Sequence, residues 1–160
     1  MIMDMAKSSR HSKITGDFGE HLVLYWLSKY GFECASVNHT GIDLIARNPH
    51  TKEVMGISVK SRSRNKGKEE DSITIDNDNF EKAEGACKAF GCVPYMAIVV
   101  DADKLVRAFI TPMSHFLKLS PMGRKSANWK MRDKHLKEYY GDSAIKIFEM
   151  KTETISWWQK

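Results

Sequence analysis

A chain of 160 residues, 42% hydrophobic and with a mean hydropathy of -0.44, is long enough to bury one core and short for two independent ones. Three cysteines (Cys34, Cys87, Cys92) without a CxxC pair point away from a disulfide framework or a four-ligand zinc site, and no window is apolar for the length of a membrane span. A formal charge of +5 and a pI near 9.1 favour a polyanionic partner.

The N-terminal "MIMDMAKSSRHSK" lacks the apolar run of a signal peptide and has no periodicity, so residues 1–13 are expected to form a loose basic arm of a cytoplasmic protein. Thr15 then offers an N-cap, and Gly31 a stop, for an amphipathic helix over "TGDFGEHLVLYWLSKYG", with Phe18, Leu22, Tyr25 or Trp26, and Tyr30 as its apolar face. "FECASVNH" (32–39) and "IDLIAR" (42–47) read as strands, "NPHTK" as a turn, and "VMGISVKSR" (54–62) as a strand returning antiparallel to the second. Period-two alternation puts Gly56, Ser58, Lys60 and Arg62 on one face of that strand, with Ile57 and Val59 on the other. Asp43 begins the neighbouring strand, so it can face Ser58 and Lys60.

"RSRNKGKEED" (62–71) reads as a charged loop and "SITI" as a short strand, and "DNDNFEKAEGACKAFG" (76–91) has the Asp and Asn caps, apolar spacing and terminal Gly91 of a second helix. "VPYMAIVVD" (93–101) has the continuous apolarity of a strand buried on both faces, and "LVRAFITP" (105–112) follows within hairpin range. A short helix at "MSHFLKL", a Ser-Pro-Met-Gly-Arg loop, a basic helix around "KMRDKHLKEYYG", a strand "AIKIFEM" and an aromatic tail complete the chain, with no internal repeat and no linker dividing residues 14–160.

Several residues carry charge or aromaticity without a motif. The run Lys60, Arg62, Arg64, Lys66, Lys68 contains no acid and leaves the third strand as a candidate phosphate-contacting segment. A second basic stretch (Arg124, Lys125, Lys130, Arg132, Lys134) includes Trp129, read first as a packing residue, with stacking on a base as the alternative. The histidines show no paired metal-ligand spacing, and only His39 lies near the 41–62 hairpin. Trp157 and Trp158 fit either a cover for an apolar patch or a homodimer contact.

The order of a helix with Gly19-Glu20, a strand opening on Gly41-Ile42-Asp43, and a strand with Ser58-Val59-Lys60 resembles the PD-(D/E)xK nuclease superfamily. The likeness is to its Holliday-junction resolvases and restriction-type endonucleases in particular, over roughly residues 14–100. It implies an α/β, restriction endonuclease-like fold, a central mixed β-sheet flanked by helices, and a Mg²⁺- or Mn²⁺-dependent endonuclease whose partner is DNA. In that pattern Asp43 is the metal-binding aspartate, Glu20 the first-helix acid holding metal-bound water, and Lys60 the lysine that contacts the phosphate and stabilises developing charge. The carbonyl of Val59 is a further metal ligand.

Phosphodiester hydrolysis needs a Lewis acid on a non-bridging oxygen, an in-line deprotonated water and cationic stabilisation, and these groups supply them. The departure is Ser58, which stands where the family has Asp or Glu and replaces a charged ligand with a neutral hydroxyl. Three outcomes follow: a one-metal nuclease, a nuclease whose missing carboxylate comes from Glu53, Asp76 or Asp78, or a nuclease-fold module that binds nucleic acid or mediates assembly without cleaving.

Overall fold

The apolar run after Cys92 dictates the centre of the molecule. In the computed structural model, which describes residues 6–158, it is a strand whose residues Met96 to Val100 are buried. The elements in chain order are α1 (His11–Lys29), β1 (Glu33–Ser36), β2 (Leu44–Arg47), β3 (Val54–Ser63), β4 (Ile73–Asp76), α2 (Asn77–Phe90), β5 (Val93–Ala102), β6 (Leu105–Pro112), α3 (Met113–Leu119), β7 (Ser126–Trp129), α4 (Asp133–Tyr140) and β8 (Lys146–Lys151). A six-stranded sheet runs β1-β2-β3-β5-β6-β8, and β4 and β7 pair in a small second sheet. Only β3 and β5 are parallel, as their connection through β4 and α2 requires, so the main sheet is mixed.

Alternation along β3 and β5 sorts the core into two layers. Ile57, Val59, Ala97 and Val99 meet Leu22, Val23 and Leu27 of α1 on one face. On the other, Met96, Ile98 and Val100 join Phe80, Ala83 and Cys87 of α2 and the aromatic residues of α3, β7 and α4. Gly56 lies under Cys87, whose thiol donates to the Gly56 carbonyl at 3.7 Å and is pushed up to about 11 by burial. The alternation expected of β3 therefore holds.

Several expectations change. The first helix begins at His11, taking up part of the expected arm, because the Thr15 hydroxyl donates back to the His11 carbonyl (2.7 Å) inside the helix rather than capping its start. Lys7, also within the expected arm, donates to the carbonyl and hydroxyl of Ser63 at 2.9 and 3.2 Å; residues 1–5 of that arm lie outside the described residues. The buried stripe of α1 is Gly19, Leu22, Val23 and Leu27, whereas Phe18, Tyr25 and Tyr30 are exposed. Gly19 sets that rotation: a Cβ there would stand 1.7 Å from the Ser61 Oγ, so the bare helix backbone lies against β3.

The first strand is shorter than expected, and β7 is an unforeseen strand. It carries Trp129, 0% exposed and stacked between Phe116 (5.1 Å) and Tyr139 (4.1 Å), with Phe109 against it. Stacking of Trp129 on a base is therefore excluded by its burial. Trp158, 83% exposed, covers no apolar patch among the described residues. Among the described residues no helix is long and apolar enough to cross a membrane.

Trp129 holds β7, α3, α4 and β6 together through ring contacts. Trp129→Ala is expected to cost about 3–5 kcal/mol of folding stability, read as a lower denaturant midpoint; a loss under 1 kcal/mol would overturn its role as the hub of this layer.

Candidate functional site

The β2–β3 ladder stops at the pair Leu44↔Ile57, so beyond it β3 has no strand neighbour on that edge. Asp43, one residue before β2, fills the gap. Its amide donates to the Ile57 carbonyl at 2.8 Å, and its carboxylate Oδ2 accepts the Val59 amide at 2.7 Å. The Asp43 carbonyl in turn accepts the Val37 amide at 2.9 Å. A strand residue presents its N–H and C=O to the same edge, so the Val59 carbonyl faces the opening that Asp43 occupies.

Two glycines bring the remaining elements close. Gly41 runs against α2 so tightly that a Cβ would meet the Lys82 carbonyl oxygen at 2.1 Å. His39 Nδ1 accepts the Gly41 amide at 3.1 Å while its ring stands edge-on to Phe90. The contact of Gly19 with Ser61 sets the next residue, Glu20, beside Asp43. Burial raises the Glu20 pKa, and the negative charge of Asp43, that of Asp17 and a side-chain hydrogen bond with Asp43 raise it further. Two carboxylates crowd each other here, and a divalent cation between them would relieve the repulsion. With the Val59 carbonyl at the same opening, the donors are hard oxygens of the kind magnesium takes.

Lys60, partly buried on the α2 face of β3, donates to Asn79 Oδ1 at 2.7 Å. Its pKa is lowered by burial, against the opposing pull of Asp43. Asn79 is itself held by its amide on the Asp76 carbonyl (3.1 Å) and on Asp78 (3.3 Å). Ser58, 3% exposed, lies between Gly56 and Lys60 on the same face and forms no side-chain hydrogen bond among the described residues.

The fold thus gathers Glu20, Asp43, Val59 and Lys60 around one opening, with Ser58 buried next to Val59, and the rest of the basic run continues along and beyond the end of β3. The two arginines are engaged structurally: Arg62 donates to the Ser61 and Thr74 carbonyls (2.8 and 3.3 Å), and Arg64 to the Ser72 carbonyl (2.9 Å). Lys66 and Lys68 are exposed on a tight turn in which Gly67 takes φ +86° and the Lys68 amide closes onto the Asn65 carbonyl (3.0 Å). Glu53, considered as a substitute carboxylate, sits before the far end of β3 on the Tyr95 hydroxyl. Asp78 is paired with Lys82 at 2.9 Å, which holds its carboxyl below the usual range, and Asp76 is exposed at the β4–α2 junction. No cluster of three or more His, Cys, Asp or Glu able to hold a metal forms among the described residues.

Sequence reasoning missed Asn79, because "DNDN" reads equally as helix capping, and it missed the close contacts of Gly19 and Gly41. A glycine directly before each site acid, or two before it, was the available signal.

Among solved structures, the chain is similar to that of Archaeoglobus fulgidus Hjc, a Holliday junction resolvase from an archaeal hyperthermophile. The match has a TM-score of 0.55 and 20% sequence identity, and covers 75% of this chain and 85% of that one. No family model and no curated protein matches the chain. The likeness establishes the fold: a mixed sheet flanked by helices, as in the resolvase.

The repulsion at Glu20 has a sign that can be measured. Its folded-state pKa lies above the ordinary 4.5, so stability is fully present below that value and is lost as pH rises through the raised one. In metal-free buffer Glu20→Gln should therefore be more stable than wild type at neutral pH, with the difference vanishing below about pH 4. Equal denaturation midpoints at pH 7 would contradict the crowding of the two carboxylates.

Proposed function

We propose that the chain is a divalent-metal-dependent endonuclease that hydrolyses phosphodiester bonds in DNA. The observation that carries this reading is the meeting of Glu20 and Asp43 at the open edge of β3, with the Lys60 ammonium on the adjoining strand position. Asp43, Glu20 and the Val59 carbonyl would hold Mg²⁺ or Mn²⁺, which when bound supplies Lewis acidity toward a phosphate oxygen and a more acidic water.

The chain's own groups do the rest. The Val59 amide fixes the Asp43 carboxylate in place, so its second oxygen keeps one orientation. Glu20 reaches in from α1 beside Asp43, where its carboxylate would hold the cation and a water bound to it. Lys60, steadied by the neutral Asn79, keeps its charge uncancelled by a carboxylate partner and directs it at the phosphate. Ser58 leaves the opening with two negative charges rather than three, which suits one cation retaining several waters. Lys66 and Lys68 add phosphate contacts from the turn beyond β3, while Arg62 and Arg64 shape the loop that presents them.

A second reading, a nuclease-fold module that binds nucleic acid or mediates assembly without cleaving it, draws on Ser58 and on the missing third acid. Incubation with supercoiled, linear and branched DNA, with and without Mg²⁺ or Mn²⁺, separates the two. The endonuclease reading expects metal-dependent cleavage that disappears in Asp43→Ala and in Lys60→Ala, the latter keeping its native circular dichroism. DNA binding without cleavage of any form would favour the second reading. Asn79→Ala should lower kcat by about ten- to a hundredfold, as loss of an orienting partner does, with the thermal midpoint unchanged; an unaltered kcat would remove Asn79 from the site.

A further inference from the structure

Where β3 runs on past Lys60, a cavity of about 450 Å³ opens between its end and the segment leading into α1. Lys7, Ser8, Ser12 and Thr15 are on one wall, with Ser61 and Arg62 on the other, and every lining residue is polar and none acidic. Lys7 ties the walls together through its bonds to Ser63, and Ser8 and Ser12 are exposed. Hydroxyls and cations with no carboxylate favour an anion, and the absence of any apolar residue from the lining disfavours a lipid chain or a hydrophobic peptide. Such groups bind phosphate oxygens without reading bases.

The position of the cavity relates it to the proposed chemistry. Ser61 to Ser63 directly follow Lys60, and at about 3.3 Å per strand residue the far wall lies roughly 10 Å along β3 from the lysine. Successive phosphates of one DNA strand rise about 3.4 Å along the helix axis while turning about it, which sets them roughly 7 Å apart, so this is a reach of one to two nucleotides. Resting on the endonuclease reading, we propose that this cavity is a seat for backbone phosphates of the substrate one to two nucleotides to one side of the cleaved bond. The phosphate contacts expected from the 62–68 run are thereby extended to the opposite wall, onto residues 7–15, of which the sequence alone presents 7–13 as part of a loose arm.

Ser12→Glu tests the seat. A carboxylate in the first turn of α1 favours the helix through its dipole, so a loss of binding cannot be put down to unfolding. Ser143→Glu, in the turn before β8, is the control for the same change of net charge. Binding of a duplex in metal-free buffer, followed by fluorescence anisotropy over a salt series, should weaken at least tenfold in Ser12→Glu, with the salt slope reduced by about one. Ser143→Glu should stay within twofold of wild type. An uncharged methylphosphonate placed one or two nucleotides from the cleaved bond, on the side of the seat, should weaken wild type and leave Ser12→Glu unaffected. Ser12→Glu binding like the control overturns the seat alone, as does a methylphosphonate that weakens both proteins equally. Wild-type protein that neither binds nor cleaves DNA overturns the endonuclease reading beneath it.

Discussion

The structure turns on a side chain standing in for a strand. Where β2 has not yet begun, the Asp43 carboxylate takes the Val59 amide that a neighbouring strand would otherwise have paired. Hydrogen bonds to an ionised acceptor are shorter and stronger than neutral ones, so this contact fixes both the end of the ladder and the orientation of the acid. The same substitution leaves the Val59 carbonyl without a strand partner on that edge. An interruption in the sheet and a cluster of oxygen donors are thus two aspects of one arrangement, and Gly41 permits it by letting the chain approach α2 closely enough to bring Asp43 into line.

Around that point the elements are held at differing depth. The long parallel pairing of β3 with β5 runs from Met55 to Ser63, so Lys60 extends from the most buried part of the sheet. Glu20 arrives on a helix whose approach is set by Gly19, and Asn79 on the first turn of α2. Three separate elements converge on β3, each through a short-range contact.

The sequence showed what depends on local pattern. The strand pairing of residues 42–62, the alternation of Gly56, Ser58 and Lys60 against Ile57 and Val59, and the doubly buried β5 follow from periods that neighbouring residues determine. It was less informative where a partner far along the chain decides. The face of α1 could not be chosen between Phe18 and Gly19 without knowing that Ser61 lies opposite, and β7 is too short and mixed to stand out before β4 pairs with it. Trp129 sat among basic residues in the sequence and among aromatic rings in the fold. Arg62 and Arg64 look free in a linear reading because backbone carbonyls, their actual partners, carry no sequence signature.

Ser58 has a consequence for the molecule at rest. Glu20 and Asp43 already repel each other, and a third carboxylate at this nearly sealed position would have to ionise beside both. The hydroxyl spares the empty opening that strain. A protein built this way carries less electrostatic load at neutral pH than one with three acids at this opening, and its fold is correspondingly less sensitive to pH there.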